Sequence, residues 1–224
     1  MPSMKEQQKG KGITHKGKAH FTFEGIRLGG CLFLFWIVAC TGKSYDAASG
    51  KMNSLKSLLK NGDMIVRNGT DDVSRTARSF NRKDKTYSHC GIIQIENDTV
   101  FVYHALGGSY NPSQKLLRQE LEVFCDPGAV DRIAVFRYSL DSKETHILTE
   151  WLRNHYTAGL PFDMFFNFYT DDKMYCSELV FKALNIAKRG GLFRLLPEDT
   201  DPVYVSIDDL YLNEDAKEVT KMVL

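Results

Sequence analysis

Apolar and polar positions change their period repeatedly along the chain, and each change predicts an element. Residues 52–60 place Leu55, Leu58 and Leu59 on one face of a short helix that Asn61-Gly62 ends. Residues 63–67 (DMIVR) read as a strand. A helix follows over 71–80, since Asp71 or Asp72 can cap it and Val73, Ala77 and Phe80 share a face. Residues 90–95 and 99–105 have the β-branched and aromatic content of strands and meet at Asn97-Asp98, so they form a hairpin. Within 112–124, Leu116, Leu117, Leu121 and Val123 suggest a short helix, and Pro127-Gly128 turns into a strand over 132–138. Asp141-Ser142-Lys143-Glu144 has capping-box form and opens a long helix carrying Ile147, Leu148, Trp151, Leu152 and His155, stopped by Gly159-Leu160-Pro161. An aromatic-rich stretch, 162–175, leads into a last long helix from Cys176 to about Gly190, with Leu179, Val180, Ala183, Leu184 and Ala187 at helical spacing. Beyond residue 191 the chain reads chiefly as loop, with Ser206 capping a brief turn of helix over 207–211.

Cys176 stands in the first turn of that last helix. Unpaired N–H groups and the positive end of the dipole favour an anion there, so the thiol should ionise more readily than a free one. Taken alone, such a cysteine is as well read as a small buried hydrophobe. The hairpin changes that balance. If Glu96 faces Thr99, His104 lies opposite Gly91, and His89 becomes its diagonal neighbour on the same face of the sheet. Their Cα atoms should stand roughly 7–8 Å apart, close enough for the imidazoles to hydrogen-bond over Gly91. Ile93, Ile95, Val100 and Val102 share that face, so we expect the cysteine helix to pack on it with its thiol toward the histidines. Thiolate, imidazole base and a third group that holds the imidazole tautomer are the parts of a cysteine hydrolase. Zinc is the competing use of His89, His104 and Cys176, but no fourth ligand stands at a suitable spacing, and neither a metal nor a cofactor is expected. Tyr87, Ser88 and Tyr175 flank the site and are candidate oxyanion donors together with the Cys176 N–H. Asp63, after Gly62, reads as a turn former, Cys90 as a core residue on the other face, and Cys125 as a loop or satellite-core residue.

The start of the chain carries a different signal. Residues 28–39 are apolar and follow Lys5, Lys9, Lys11, Lys16, Lys18 and Arg27, as in a secretory signal, and the run is too short to span a bilayer as a helix. It closes on Ile37-Val38-Ala39-Cys40, which resembles the lipobox of bacterial lipoproteins, where the cysteine is lipidated and becomes the new N-terminus. We therefore expect a leader over 1–39, lipidation at Cys40, a small polar tether over 40–54, and a single domain over 55–224, lipid-anchored at the cell envelope. The formal net charge is +1 and the leader holds much of the positive charge, so nothing suggests a nucleic-acid partner. Of five cysteines, three fall within the domain, and no C-x-x-C pair supports a zinc ribbon or a thioredoxin-type motif.

Four short motifs, GDMIV at 62–66, SHCGI at 88–92, VYHA at 102–105 and YCSELV at 175–180, together resemble the circularly permuted papain-like hydrolases, specifically the YiiX-like group related to the NlpC-type peptidases. The resemblance spans about 55–212. It implies an α+β fold, an antiparallel sheet with helices packed on it and the nucleophile at a helix N-terminus. It further implies Cys176 as nucleophile, His89 as base, and His104 where relatives often carry glutamate. A neutral imidazole orients His89 but stabilises an imidazolium less than a carboxylate does. The implied activity is acyl-enzyme cleavage of an amide, with a small peptide such as a cell-wall peptide as substrate; acyl transfer on lipids and an idle wall- or lipid-binding role are the alternatives.

Overall fold

The computed structural model describes residues 41–191 and 204–224. The leader, Cys40 and residues 192–203 lie outside them. In chain order the strands are β1 (Met64–Gly69), β2 (His89–Glu96), β3 (Thr99–His104), β4 (Leu117–Glu120), β5 (Val130–Tyr138) and β6 (Ala216–Val223), and the helices are α1 (Thr41–Leu58), α2 (Asp72–Ser79), α3 (Leu121–Phe124), α4 (Ser142–Ala158), α5 (Cys176–Ala187) and α6 (Ile207–Tyr211). All six strands pair antiparallel in one sheet, in the order β4-β3-β2-β1-β5-β6. This is the α+β architecture expected.

Capping residues define the helices as expected. Asp71 accepts from Ser74 N at 2.6 Å to start α2. Asp141 and Glu144 form a reciprocal capping box on α4, and Gly159 ends that helix at φ 70°, a conformation that favours glycine. Ser206 and Asp209 cap α6 in the same way. Asp63 holds the turn before β1: it accepts from Lys60 N at 2.8 Å and takes two bonds of 2.7 Å from Arg137.

Three segments differ from expectation. Residues 41–50, read as an irregular tether, belong to one helix that runs on through residue 58, and Leu58 is exposed while Leu55 and Leu59 are buried. The segment expected to be a helix within 112–124 is instead strand β4 followed by one helical turn, α3. Beyond α6, which forms where it was expected, the tail adds β6, an edge strand whose Lys217, Glu218 and Lys221 keep it polar. The last two differences fall on edge strands, which pair on one side only and need few apolar residues.

Helices cover both faces of the sheet. Leu55 of α1, Leu59 just beyond it, and Leu121 and Phe124 of α3 pack with Ile65, Ile93, Val100, Val102 and Val135 on one face. On the other, α4 and α5 bring Leu148, Leu152, Leu179, Val180 and Leu184 against Met64, Cys90, Ile92, Tyr103 and Phe136. The second face carries α5, the helix that Cys176 opens.

Candidate active site

The hairpin register is the expected one, with Glu96 paired to Thr99 and Ile92 to Tyr103. His89 and His104 are both buried and meet through His89 Nε2 and His104 Nδ1 at 2.8 Å, their rings nearly perpendicular. Gly91 makes this possible: a Cβ there would lie 2.6 Å from Val102 Cγ1, 2.8 Å from the Tyr103 carbonyl oxygen and 3.0 Å from His104 Cβ. His104 Nε2 is 3.0 Å from Gln119 Oε1 on β4. A carbonyl oxygen only accepts, so His104 carries its proton on Nε2 and presents Nδ1 as an acceptor. His89 Nε2–H donates to it. The unprotonated nitrogen of His89 is therefore Nδ1, and the three side chains form a relay that leaves one free basic site.

Burial lowers the basicity of both rings, and the Arg67 guanidinium, seated over the Phe124 ring at 4.5 Å, adds to the effect. His104 is pushed down to about 3, and His89 lies well below its ordinary value, with His104 contributing as well. Both are neutral near pH 7.

Cys176 opens α5 after Tyr175, whose extended backbone (φ −88°, ψ 172°) lets its carbonyl accept the first helical bond, from Leu179 N at 3.0 Å. Glu178 reaches back to Tyr175 N at 3.2 Å and pairs with Lys182 Nζ at 2.8 Å; burial raises its carboxyl to about 7. The neighbouring Cys90 thiol, with the Ser177 and Cys90 backbone and the Ser177 side chain, lowers the Cys176 pKa against the opposing effect of burial. Cys90 is itself raised well above the usual thiol range by burial and by Cys176.

These facts correct the expected packing. Helix α5 lies on the Cys90 face of the sheet, not on the face that His89 shares with Ile93 and Val102, and the two imidazoles abut Phe124 of α3 instead. Among the described residues no hydrogen bond joins Cys176 to either histidine. The thiol lies beside Cys90, the residue next to His89.

Ser88 and Tyr175 line the same cleft as Cys176; the cleft measures about 330 Å³. Ser88 Oγ is occupied by Gly69 N at 2.9 Å and by the Arg67 carbonyl at 3.3 Å, and Tyr175 OH accepts from Val205 N at 2.9 Å. Tyr87 packs edge-on against Tyr211 and borders a different depression. Sequence reasoning missed Cys90 and Gln119 as neighbours of the site. Alternation placed Cys90 on the face opposite His89 without saying that α5 would cover it, and Gln119 fell in a segment read as helix.

Residues 58–193, more than half the chain, match the family described as "permuted papain-like amidase enzyme, YaeF/YiiX, C92 family". The chain belongs to this amidase family. As a permuted papain-like amidase it is an enzyme of the cysteine peptidase class. Its fold is shared by the YiiX protein of Escherichia coli O157:H7, which is described as a metalloprotein: the two structures superpose with a TM-score of 0.57 at 19% identity, over 74% of this chain and 98% of that one. No curated protein matches the amidase in sequence. Among its described residues, no three His, Cys, Asp or Glu side chains are grouped closely enough to hold a metal ion, and His89 Nε2 and His104 Nδ1 are engaged with each other.

Proposed function

We propose that Cys176 is the nucleophile of an envelope-anchored amidase, with His89 as its base and His104 as the group that orients the base. The observation that carries this reading is the Cys176 sulfur itself, which lines an open cleft at a helix N-terminus, where Cys90 and Ser177 favour the thiolate. Its proton passes to His89 Nδ1, the nitrogen left free by the bond to His104. Among the described residues no such bond is made; in substrate-free hydrolases these contacts are commonly long and tighten when substrate binds. Sulfur attacks the amide carbonyl carbon, and the developing oxyanion takes the Cys176 N–H. His89 then gives its proton to the leaving nitrogen as the C–N bond breaks, which leaves a thioester on Cys176. Water, deprotonated by His89, hydrolyses the thioester and restores the thiol. The neutral imidazoles make His89 a general base toward a hydrogen-bonded thiol, in place of the permanent thiolate–imidazolium pair of an acid-assisted site.

Lipidation of Cys40 would hold this activity at the bacterial envelope, where a wall peptide is one source of the amide. In an expressing bacterium, fatty-acid labelling should be lost in Cys40→Ala, and undiminished labelling would remove the anchor from the account. For the chemistry, Cys176→Ala should abolish amide turnover and the acyl-enzyme adduct seen by intact mass. Turnover that survives Cys176→Ala would contradict the assignment.

A further inference from the structure

Three thiols lie among the described residues, and all three are free. Cys125 is buried on the face that α1 and α3 cover, among Leu121 and Phe124. Cys90 and Cys176 are on the other face. Helix α5 packs across β2 there, and its first residue rests on the cluster to which Cys90 belongs, so the two thiols are neighbours although they are distant in sequence. Their settings are unequal. Cys176 lines the open cleft, whereas Cys90 is fully buried. Packing alone does not call for a thiol on β2, because Val66, the partner of Cys90 on β1, and Ile92 fill the same face with plain hydrocarbon. A second thiol held against a reactive one is the arrangement in which oxidation ends as a disulfide.

We propose that Cys90 and Cys176 are a redox pair, in which hydrogen peroxide oxidises Cys176 and Cys90 resolves the product as an intramolecular disulfide that switches the amidase off. This switch rests on Cys176 being the nucleophile. Its thiolate attacks one peroxide oxygen, the O–O bond breaks, and the departing hydroxide takes a proton to become water. Cys176 is left as a sulfenic acid, two electrons poorer. The Cys90 sulfur then attacks the Cys176 sulfur, the S–O bond breaks, and the Cys90 proton leaves with the hydroxyl group as a second water. Two thiols and one peroxide have become a disulfide and two waters. The order follows from the settings: peroxide reaches Cys176 through the cleft, while burial keeps Cys90 protonated and spares it from direct oxidation. In the disulfide Cys176 has no thiolate to offer an amide, and it is shielded from the irreversible sulfinic and sulfonic acids. A dithiol reductant regenerates both thiols by exchange.

To test the pair, the reduced full chain is treated with hydrogen peroxide under native conditions, the remaining thiols are alkylated in denaturant, and the peptides are mapped by mass spectrometry without reduction. A linked Cys90–Cys176 peptide should accumulate while Cys125 stays free for alkylation, and dithiothreitol should abolish the link. In Cys90→Ala no partner remains, so dimedone should trap the sulfenic acid on Cys176, and further peroxide should add two oxygen atoms that dithiothreitol does not remove. Products rather than rates decide, because Cys90→Ala also changes the ionisation of Cys176. In the unaltered protein, a Cys176 that passes to sulfenic or sulfinic acid without linking to Cys90, that links to Cys125 instead, or that peroxide leaves reduced would overturn the pair. Amide turnover distinguishes the switch from the hydrolase reading: it should fall in proportion to the linked fraction and return on reduction. Linkage without any turnover by the reduced protein keeps the pair and removes the hydrolase. Turnover that peroxide destroys for good, with no link formed, removes the pair and keeps the hydrolase.

Discussion

His104, expected from the sequence, and Cys90, whose place beside Cys176 was not, are the residues on which the proposed Cys176–His89 pair depends. Because Gln119 Oε1 holds the His104 proton on Nε2, His104 acts on His89 only as an acceptor, and its loss frees the His89 ring to turn and to change tautomer. His104→Ala should therefore lower kcat by about tenfold to a hundredfold, less than the 10²–10⁴ usually supplied by a base itself. An unchanged kcat would reduce His104 to a packed strand residue. Cys90 acts on the thiol directly. Removing its hydrogen bond in Cys90→Ala should move the midpoint of Cys176 alkylation to higher pH while leaving the reaction in place, because the backbone donors from Ser177 and Cys90 remain. A midpoint unchanged from wild type would show that the thiol–thiol contact does not help to ionise the nucleophile.

At the scale of elements, the β2–β3 hairpin and the N-terminus of α5 are the two parts that must meet. Gly91 fixes the first. Gly91→Ala forces a methyl group against the Tyr103 carbonyl and the neighbouring His104 and Val102 side chains, and should cost about 1–3 kcal/mol in urea unfolding while disturbing the imidazole pair. A variant of wild-type stability and activity would mean that the strands stand further apart than the structure has them. In α5, Glu178 holds its proton up to about pH 7, whereas an unfolded-state glutamate releases it near pH 4.5. Between those values the folded chain binds more protons than the unfolded one, so this group makes stability fall as pH rises. Glu178→Gln should abolish that part of the slope, which unfolding midpoints measured from pH 4.5 to 7 will detect. An identical slope in the variant would count against a raised Glu178.

Across the whole molecule, what could be read from sequence follows from which contacts are local. Helix caps at Asp71, Asp141 and Ser206 and the parity of the His89–His104 pairing depend on neighbours a few residues away or across a two-residue turn, and all were legible. The face that α5 covers was not. Both faces of the central strands are apolar, Ile93 and Val102 on one and Cys90 and Ile92 on the other, so alternation alone supplies no sign. Edge strands β4 and β6 were hidden by the polar residues that suit an edge. Gln119 and the partnership of Cys90 with Cys176 depend on where those distant pieces come to rest.

The central claim is that Cys176, and neither of the other two thiols of the domain, is poised to react. Burial drives the Cys125 thiol up to about 12 and also raises Cys90 well above the usual thiol range, while its neighbours lower Cys176 and the cleft admits a reagent to it. The most direct measurement is brief alkylation of the folded protein with iodoacetamide from pH 5.5 to 9, followed by mass-spectrometric mapping of the cysteine peptides. The account predicts modification of Cys176 below pH 8, with Cys90 and Cys125 untouched until the protein is denatured. Equal labelling of Cys90, or a Cys176 that reacts only above the pH of a free thiol, would contradict it.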